Sequence, residues 1–370
     1  MTADVRQAEL DARAGELWAA AVAGDEYAAA DAVMGGLEGG AGLEDLLLEV
    51  VAPVQARVGR EWAANRITVA QEHTATAVNE RVLAALAHHP AGRAAARSHD
   101  PAPGRITVAC VDGEWHAFPA RLLAEVLRLR GWRVDYLGAQ VPTPHLIAHL
   151  HRTAPAAVAL SSSIATRLPT AHAAITACQA TGTPVLVGGS AYGHDGRHAA
   201  RLGADAWAPD ARSAANLLAG GPPPRPPATR QAVDDLPHLD DQEHTLIARS
   251  SRRLVRHIMG ELEQRVPAMA GYTARQRRHT AEDVAHLVDF LGAALYLDDA
   301  DLLSGFLTWT AGILTARGVP AQTLLPTLDL LATQLTEFPR AAGLLGRARE
   351  VLPAPAGRPS PPVPQPGKTA

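Results

Sequence analysis

Glu114-Trp-His116 follows an apolar run, Val108-Ala-Cys-Val, that breaks at Asp112-Gly113. An imidazole at such a point can bind a metal through one ring nitrogen. Glu114, two residues ahead, is placed to hold the other nitrogen, which would fix the tautomer and strengthen the ligand. Taken alone, the pair is equally a loop carboxylate and a solvated histidine. Upstream, Trp62 is separated by nine residues from Glu72-His73. On a helix the last two would stand about 100° apart, one facing a pocket and the other flanking it. Singly, Trp62 reads as core, Glu72 as a cap and His73 as surface. Downstream, Ser161 and Ser163 offer small hydroxyls at a strand end, and Gly188-Gly189 lets backbone approach closely and offers amides to a phosphate. A further group lies in Tyr272-Thr-Ala-Arg-Gln-Arg-Arg-His-Thr-Ala-Glu-Asp-Val-Ala-His286. Helical spacing aligns Arg275, His279, Asp283 and His286 in one stripe. Beside Tyr296 and Trp309, it could hold an acidic conjugated ligand, arginine serving carboxylates. The alternative is a solvated face of a helical dimerisation domain.

The elements that must position these residues fall into an α/β part and all-α parts. Residues 7–92 carry Ala, Leu and Val at helical spacing, with breaks at Gly24-Asp25, Gly35-Gly36, Gly39-Gly40 and Asn65. They predict a four-helix bundle, a domain of residues 1–95. Residues 93–104 read as a linker. Strands are expected at 106–111, 133–138, 156–161, 184–188 and 204–208. Helices between and after them are expected at 118–130, 143–153, 167–180, 195–202 and 211–218. This alternation predicts a Rossmann-like, doubly wound parallel sheet of five strands over residues 104–220. Ligands of such sheets collect at the strand carboxyl ends, where His116, Ser161, Ser163 and Gly188-Gly189 fall. A Pro-rich linker (221–242) leads to a helical domain (243–352) with helices near 243–265, 273–296, 299–317, 320–336 and 338–351. The Pro-rich residues 353–370 should be disordered.

At 370 residues the chain holds two or three domains. Its 34 Lys+Arg against 38 Asp+Glu leave a net charge of -4 and no general basic field for nucleic acid. Cys110 and Cys178 fall in a predicted strand and helix, supporting neither a disulfide framework nor a zinc site. The N-terminus lacks signal-peptide character, and no apolar run nears the ~20 residues of a membrane span. A soluble, cytoplasmic protein is expected.

The ordered set resembles the cobalamin-binding domain shared by methionine synthase, the adenosylcobalamin mutases and the light-sensing repressors of the MerR type. The resemblance spans roughly residues 10–220 and implies that His116 binds cobalt. Glu114 stands where many members have Asp, as in the light-sensing branch; Pro119 replaces a family Gly, and Ser163 an aliphatic residue. Trp62-x9-Glu72-His73 is similar to the signature of that branch, in which the tryptophan and the acidic residue enclose an adenosyl group on the upper face. The repressors carry a histidine directly after the tryptophan; here it is Ala63, so water, His73 or another ligand would replace the lost group. Because the bundle begins almost at residue 7, no helix-turn-helix and no direct operator binding are expected.

With a helical domain following, the order is similar to that of the photocobilins, which pair adenosylcobalamin with a bilin. That implies noncovalent biliverdin at Tyr272, Arg275, His279, Asp283, His286 and Trp309. The resulting expectation is a non-enzymatic photoreceptor in which light cleaves the cobalt–carbon bond and changes self-association, with a dimer and a downstream signalling protein as partners. A corrinoid carrier in methyl transfer, and a cobalamin-dependent regulator whose C-terminal domain docks a protein, are the alternatives.

Overall fold

The computed structural model describes residues 3–97, 103–224 and 236–352. Helices α1 (Ala3–Ala23) and α2 (Glu26–Glu38) pack side by side, and α3 (Leu43–Asp45) passes through a π-helical turn, Leu46–Val51, into α4 (Ala52–Ala63). Asn65 takes a left-handed φ of 57° and ends that helical run. Thr68 then opens α5 (Val69–His88) with a capping box to Gln71, which sets Glu72 in the first turn, where the helix dipole favours a carboxylate. Leu17, Leu46, Val50 and Leu83 fill the bundle at 0–1% exposure, each burial contributing about 1.5–3 kcal/mol.

Two expectations are corrected here. Gly35-Gly36 does not break a helix but lies inside α2. A Cβ on Gly36 would stand 2.8 Å from the Leu46 side chain, so this glycine serves close helix packing. Residues 93–104, expected as linker, begin in α6 (Pro90–Arg97); residues 98–102 lie outside the described residues.

Strands β1 (Arg105–Cys110), β2 (Arg133–Gly138), β3 (Ala157–Ser161), β4 (Val185–Gly188) and β5 (Ala206–Ala208) form one parallel sheet in the order β2-β1-β3-β4-β5. Helices α7 (Phe118–Leu129), α8 (Thr143–Thr153), α9 (Leu168–Ala180), α10 (Arg197–Arg201) and α11 (Ala211–Ala219) connect the strands or follow the last. The fold is thus α/β plus all-α, with a Rossmann-like five-stranded sheet. Strand order reverses between β1 and β3, and the crevice that opens there at the carboxyl ends is where such sheets bind ligands.

The C-terminal part comprises α12 (Glu243–Arg265), α13 (Ala274–Leu297), α14 (Ala300–Ala316), α15 (Leu325–Gln334) and α16 (Pro339–Glu350). It has its own core, from Ile247 through Leu291 to Leu345. Leu236 and Leu297 join a second core with the sheet and α9. Polar contacts fasten the two parts: His172 Nδ1 meets the Tyr296 hydroxyl at 2.8 Å, and His198 Nε2 meets Asp299 at 2.9 Å. Of the expected linker 221–242, residues 225–235 lie outside the described residues, while Pro237–Asp241 form a 3-10 turn. The expected disordered end, 353–370, also lies outside them.

Candidate functional site

The loop after β1 is built around a buried carboxylate. Val111 accepts from the Glu114 N–H at 3.0 Å, closing a turn in which Gly113 adopts φ 76°. The positive φ selects glycine here, and a Cβ would crowd the Arg167 guanidinium at 3.1 Å. Glu114 is 0% exposed. One oxygen accepts from the His116 N–H at 2.8 Å and faces His116 Nδ1 at 2.7 Å; the other accepts from the N–H groups of Ser163 at 2.6 Å and Ile164 at 3.1 Å. Burial pushes this carboxyl up, but the His116 ring and the main-chain donors outweigh it and hold it at about 2. The same contact raises His116, with Glu72 adding attraction from the bundle. With Nδ1–H committed to a carboxylate, Nε2 is the nitrogen left to coordinate a metal.

Glu114 also ties the switch point together, since its partners lie at the end of β3. The chain leaves regular strand geometry after Ser161, so Ser162, rather than Ser161 or Ser163, turns its hydroxyl toward Glu114, at 3.4 Å. Ser161 instead lines a small cavity of about 100 Å³ among the strand ends, with Gly188, Gly189, Val108 and Leu160. Ser163 faces a larger cavity, and its carbonyl accepts from the Ser190 hydroxyl at 2.8 Å. Gly189 has φ 103°, and a Cβ on it would lie 2.2 Å from the Ser162 carbonyl oxygen.

The larger cavity measures about 1430 Å³, beyond the ~300–1,000 Å³ of ordinary small-molecule pockets. His116, Trp115 and Ser163 contribute from the sheet side; Trp62, Glu72 and His73 contribute from the bundle. His73 Nδ1 pairs with Glu72, whose other oxygen accepts from Thr76 at 3.3 Å. Gln55 bridges Thr76 at 3.0 Å and the buried Asn79 at 2.8 Å, locking α4 to α5 beneath Trp62. Gln55, Thr76 and Trp115 carry no local motif, and only the assembled cavity identifies them. A third cavity of about 500 Å³ shares Gln55, Ala56, Phe118 and Pro119 with it, and Pro119 fits as a first-turn residue of α7.

The C-terminal stripe forms along one helix, but as an exposed face and without Trp309 beside it. Arg275, His279, Asp283 and His286 are exposed on α13, with Arg275 Nε 3.3 Å from His279 and His279 Nδ1 3.2 Å from Glu282. Tyr272 packs against the C-terminal core. Trp309 is not beside them: it lines the large cavity from α14, its ring centroid 6.3 Å from that of Trp62. Its place follows from the docking of the domains rather than from spacing within the helix.

Cys110 and Cys178 are free and buried, and burial pushes both thiols up to about 12. No group of three or more His, Cys, Asp or Glu able to hold a metal occurs among the described residues. A single imidazole held through Nδ1 suits a metal that brings most of its ligands with it. Among the described residues, no helix is long and apolar enough to cross a membrane.

Comparison with known proteins bears on what fills the cavity. Over 149 residues, the chain is 34% identical to the HTH-type transcriptional repressor CarH of Myxococcus xanthus, covering 39% of this chain and 46% of the repressor. The chain thus spans less than half the length of that relative. Among solved structures, the monomethylamine corrinoid protein of Methanosarcina barkeri is 18% identical, with a TM-score of 0.45 over 55% of this chain and 94% of its own. A cobalamin-binding protein of Desulfitobacterium hafniense DCB-2 is 19% identical, with a TM-score of 0.31 over 57% of this chain and 97% of its own. Residues 14–87 and residues 104–235 each match a family described as B12 binding domain. The chain therefore carries a helical and an α/β B12-binding region, and these matches support cobalamin as its cofactor.

Proposed function

We propose that the chain is a light-responsive receptor that holds adenosylcobalamin between its helical cap and its sheet. The observation that carries this reading is the roofed cavity: His116 in its floor, with Trp62, Glu72 and His73 across from it. When bound, this cofactor supplies a cobalt–carbon bond that visible light can cleave. His116 offers Nε2 to the metal while Glu114 holds the ring by Nδ1. The small cavity at Ser161 and Gly188-Gly189 suits a slender tail threaded between strand ends. Trp62 excludes water from the upper face and packs on whatever occupies it. Once that packing partner is lost, Trp62 is free to move, and α4 carries the movement to α14. A methyl carrier needs its upper face open to a second protein, whereas Trp62 and Trp309 stand across that approach.

The resemblance to photocobilins also makes biliverdin a proposed second chromophore, supported here by the exposed cation and imidazole pair Arg275 and His279 on α13. A light-dependent change in self-association and a downstream protein partner belong to the same reading. The test is reconstitution with adenosylcobalamin in darkness, then illumination, with absorption spectra and size-exclusion profiles before and after. A changed spectrum and elution volume are expected. A spectrum unchanged under green light overturns the receptor reading. Separately, a red-shifted bilin band that persists in Arg275→Ala/His279→Ala removes biliverdin from the α13 stripe.

A further inference from the structure

The upper face of the cavity is closed by two domains rather than one. From α14, Trp309, Gly312, Ile313 and Ala316 line it on one helical face. Trp309 remains 51% exposed, a large aromatic surface left uncovered inside a pocket. Its ring is backed by Phe306 at 6.3 Å, which stacks on Phe290 at 3.9 Å and 9°, so it has a stiff support. The end of α4 is latched to the same helix. Arg317 lies 5.3 Å over the Trp62 ring and donates to the carbonyls of Trp62 and Ala63 at 3.4 Å, while Asn65 donates to the Ala316 carbonyl at 3.3 Å. Trp62 and Trp309 thereby border the same cavity, their ring centroids 6.3 Å apart and their planes tilted by 40°. Two parallel aromatic faces need about 7 Å to take one flat base between them, so the slot forms when the rings turn toward parallel and part slightly.

We infer that Trp309 is the second wall of the upper-ligand pocket and that, with Trp62, it grips the base of a purine nucleoside carried above His116. The C-terminal domain is then a specificity determinant for the upper ligand. Trp309 selects, and Arg317 acts through Trp62 as a positioning residue. The inference rests on the cobalamin reading above and adds a residue outside both B12-binding regions.

The test is dark equilibrium titration of the full chain and of Trp309→Ala and Trp309→Phe with adenosyl-, methyl- and hydroxocobalamin, followed by tryptophan quenching and visible absorbance. Trp309→Ala should weaken adenosylcobalamin about ten- to a hundredfold, the scale of losing one stacked face. The other two cobalamins should change by less than about threefold, and Trp309→Phe, which keeps a ring, should recover most of the loss. Leu303 and Leu307 carry the buried face of α14 and are untouched by either variant. Equal weakening of all three cobalamins, or no weakening of any, overturns the inference. If the unmodified chain itself holds the three equally, the adenosylcobalamin reading fails. If it prefers the adenosyl form and Trp309→Ala prefers it just as strongly, only the role of Trp309 fails.

Discussion

Glu114→Gln preserves the shape of the side chain that organises the β1 loop and removes its charge. The carboxylate accepts from His116 N–H and ring Nδ1–H, Ser163 N–H and Ile164 N–H, all within 3.1 Å, at 0% exposure. Its value of about 2, against an ordinary 4.5, corresponds to about 3 kcal/mol favouring the charged form in the folded state. A glutamine amide must also turn its NH2 toward some of these N–H groups, leaving a buried donor unmatched at about 1–3 kcal/mol. Overlap between the two effects puts the loss at about 3 kcal/mol at pH 7, which lowers the melting temperature by about 6–12 °C. The sign with pH follows from the depressed carboxyl: its contribution is complete above about pH 4.5 and is lost as pH falls toward about 2. Thermal unfolding of the cofactor-free protein by circular dichroism at pH 7, 5, 4 and 3 measures this. The gap between the parent chain and Glu114→Gln should shrink by more than half from pH 5 to pH 3. Equal melting at pH 7, or a gap that stays constant down to pH 3, refutes the account.

Replacing His116 by alanine takes the ring partner from the buried Glu114 carboxylate and should cost about 1–3 kcal/mol of stability, while lowering cobalamin affinity at least about tenfold; thermal unfolding reads the first, and titration followed by absorbance reads the affinity and the loss of imidazole coordination. For Gly189→Ala, the collision with the Ser162 carbonyl and the positive φ should cost more than about 3 kcal/mol, and an unaltered urea midpoint would count against the strand-end geometry. Asp299→Asn weakens the contact with His198 and the ion pair with Arg197 at 3.4 Å, at about 1–3 kcal/mol. His198 is the main cause of the depressed Asp299 carboxyl, so the parent's advantage is present at neutral pH and lost under acid. Limited proteolysis should then cut Asp299→Asn faster between the sheet and the C-terminal domain at pH 7, and equal cutting would refute the fastening role.

The sheet was legible because β1, β3 and β4 are short buried apolar runs closed by turns, with helical segments alternating between them. Glu114 and His116 were legible for a related reason: their contact spans two residues, so sequence spacing already contains the geometry. Ser162 was not, because the two-residue alternation that singles out Ser161 and Ser163 ends with the strand, and the hydroxyl that meets Glu114 is set by the bend beyond it. Gly35-Gly36 reads as a break by local propensity; only the neighbouring Leu46 side chain reveals why the helix tolerates it. Trp309 was misplaced for the strongest version of this reason. Its partner Trp62 lies 247 positions away, and the pairing exists only once α14 has docked over α4.

The π-helical turn at Leu46–Val51 acts as a phase corrector. It winds one more residue into a turn than an α-helix would. Without it, the same chain would deliver every later residue of α4 rotated by about 100° and advanced by about 1.5 Å, and Trp62 would point away from His116. A one-residue deletion inside the turn can therefore be absorbed by reverting to ordinary winding, with Trp62 still on target. The same deletion anywhere from Pro53 to Glu61 has no such reserve and swings the indole out of the cavity. Chain length in the cap is thus negotiable within Leu46–Val51 and rigid from Ala52 to Trp62, an asymmetry set by one irregular turn.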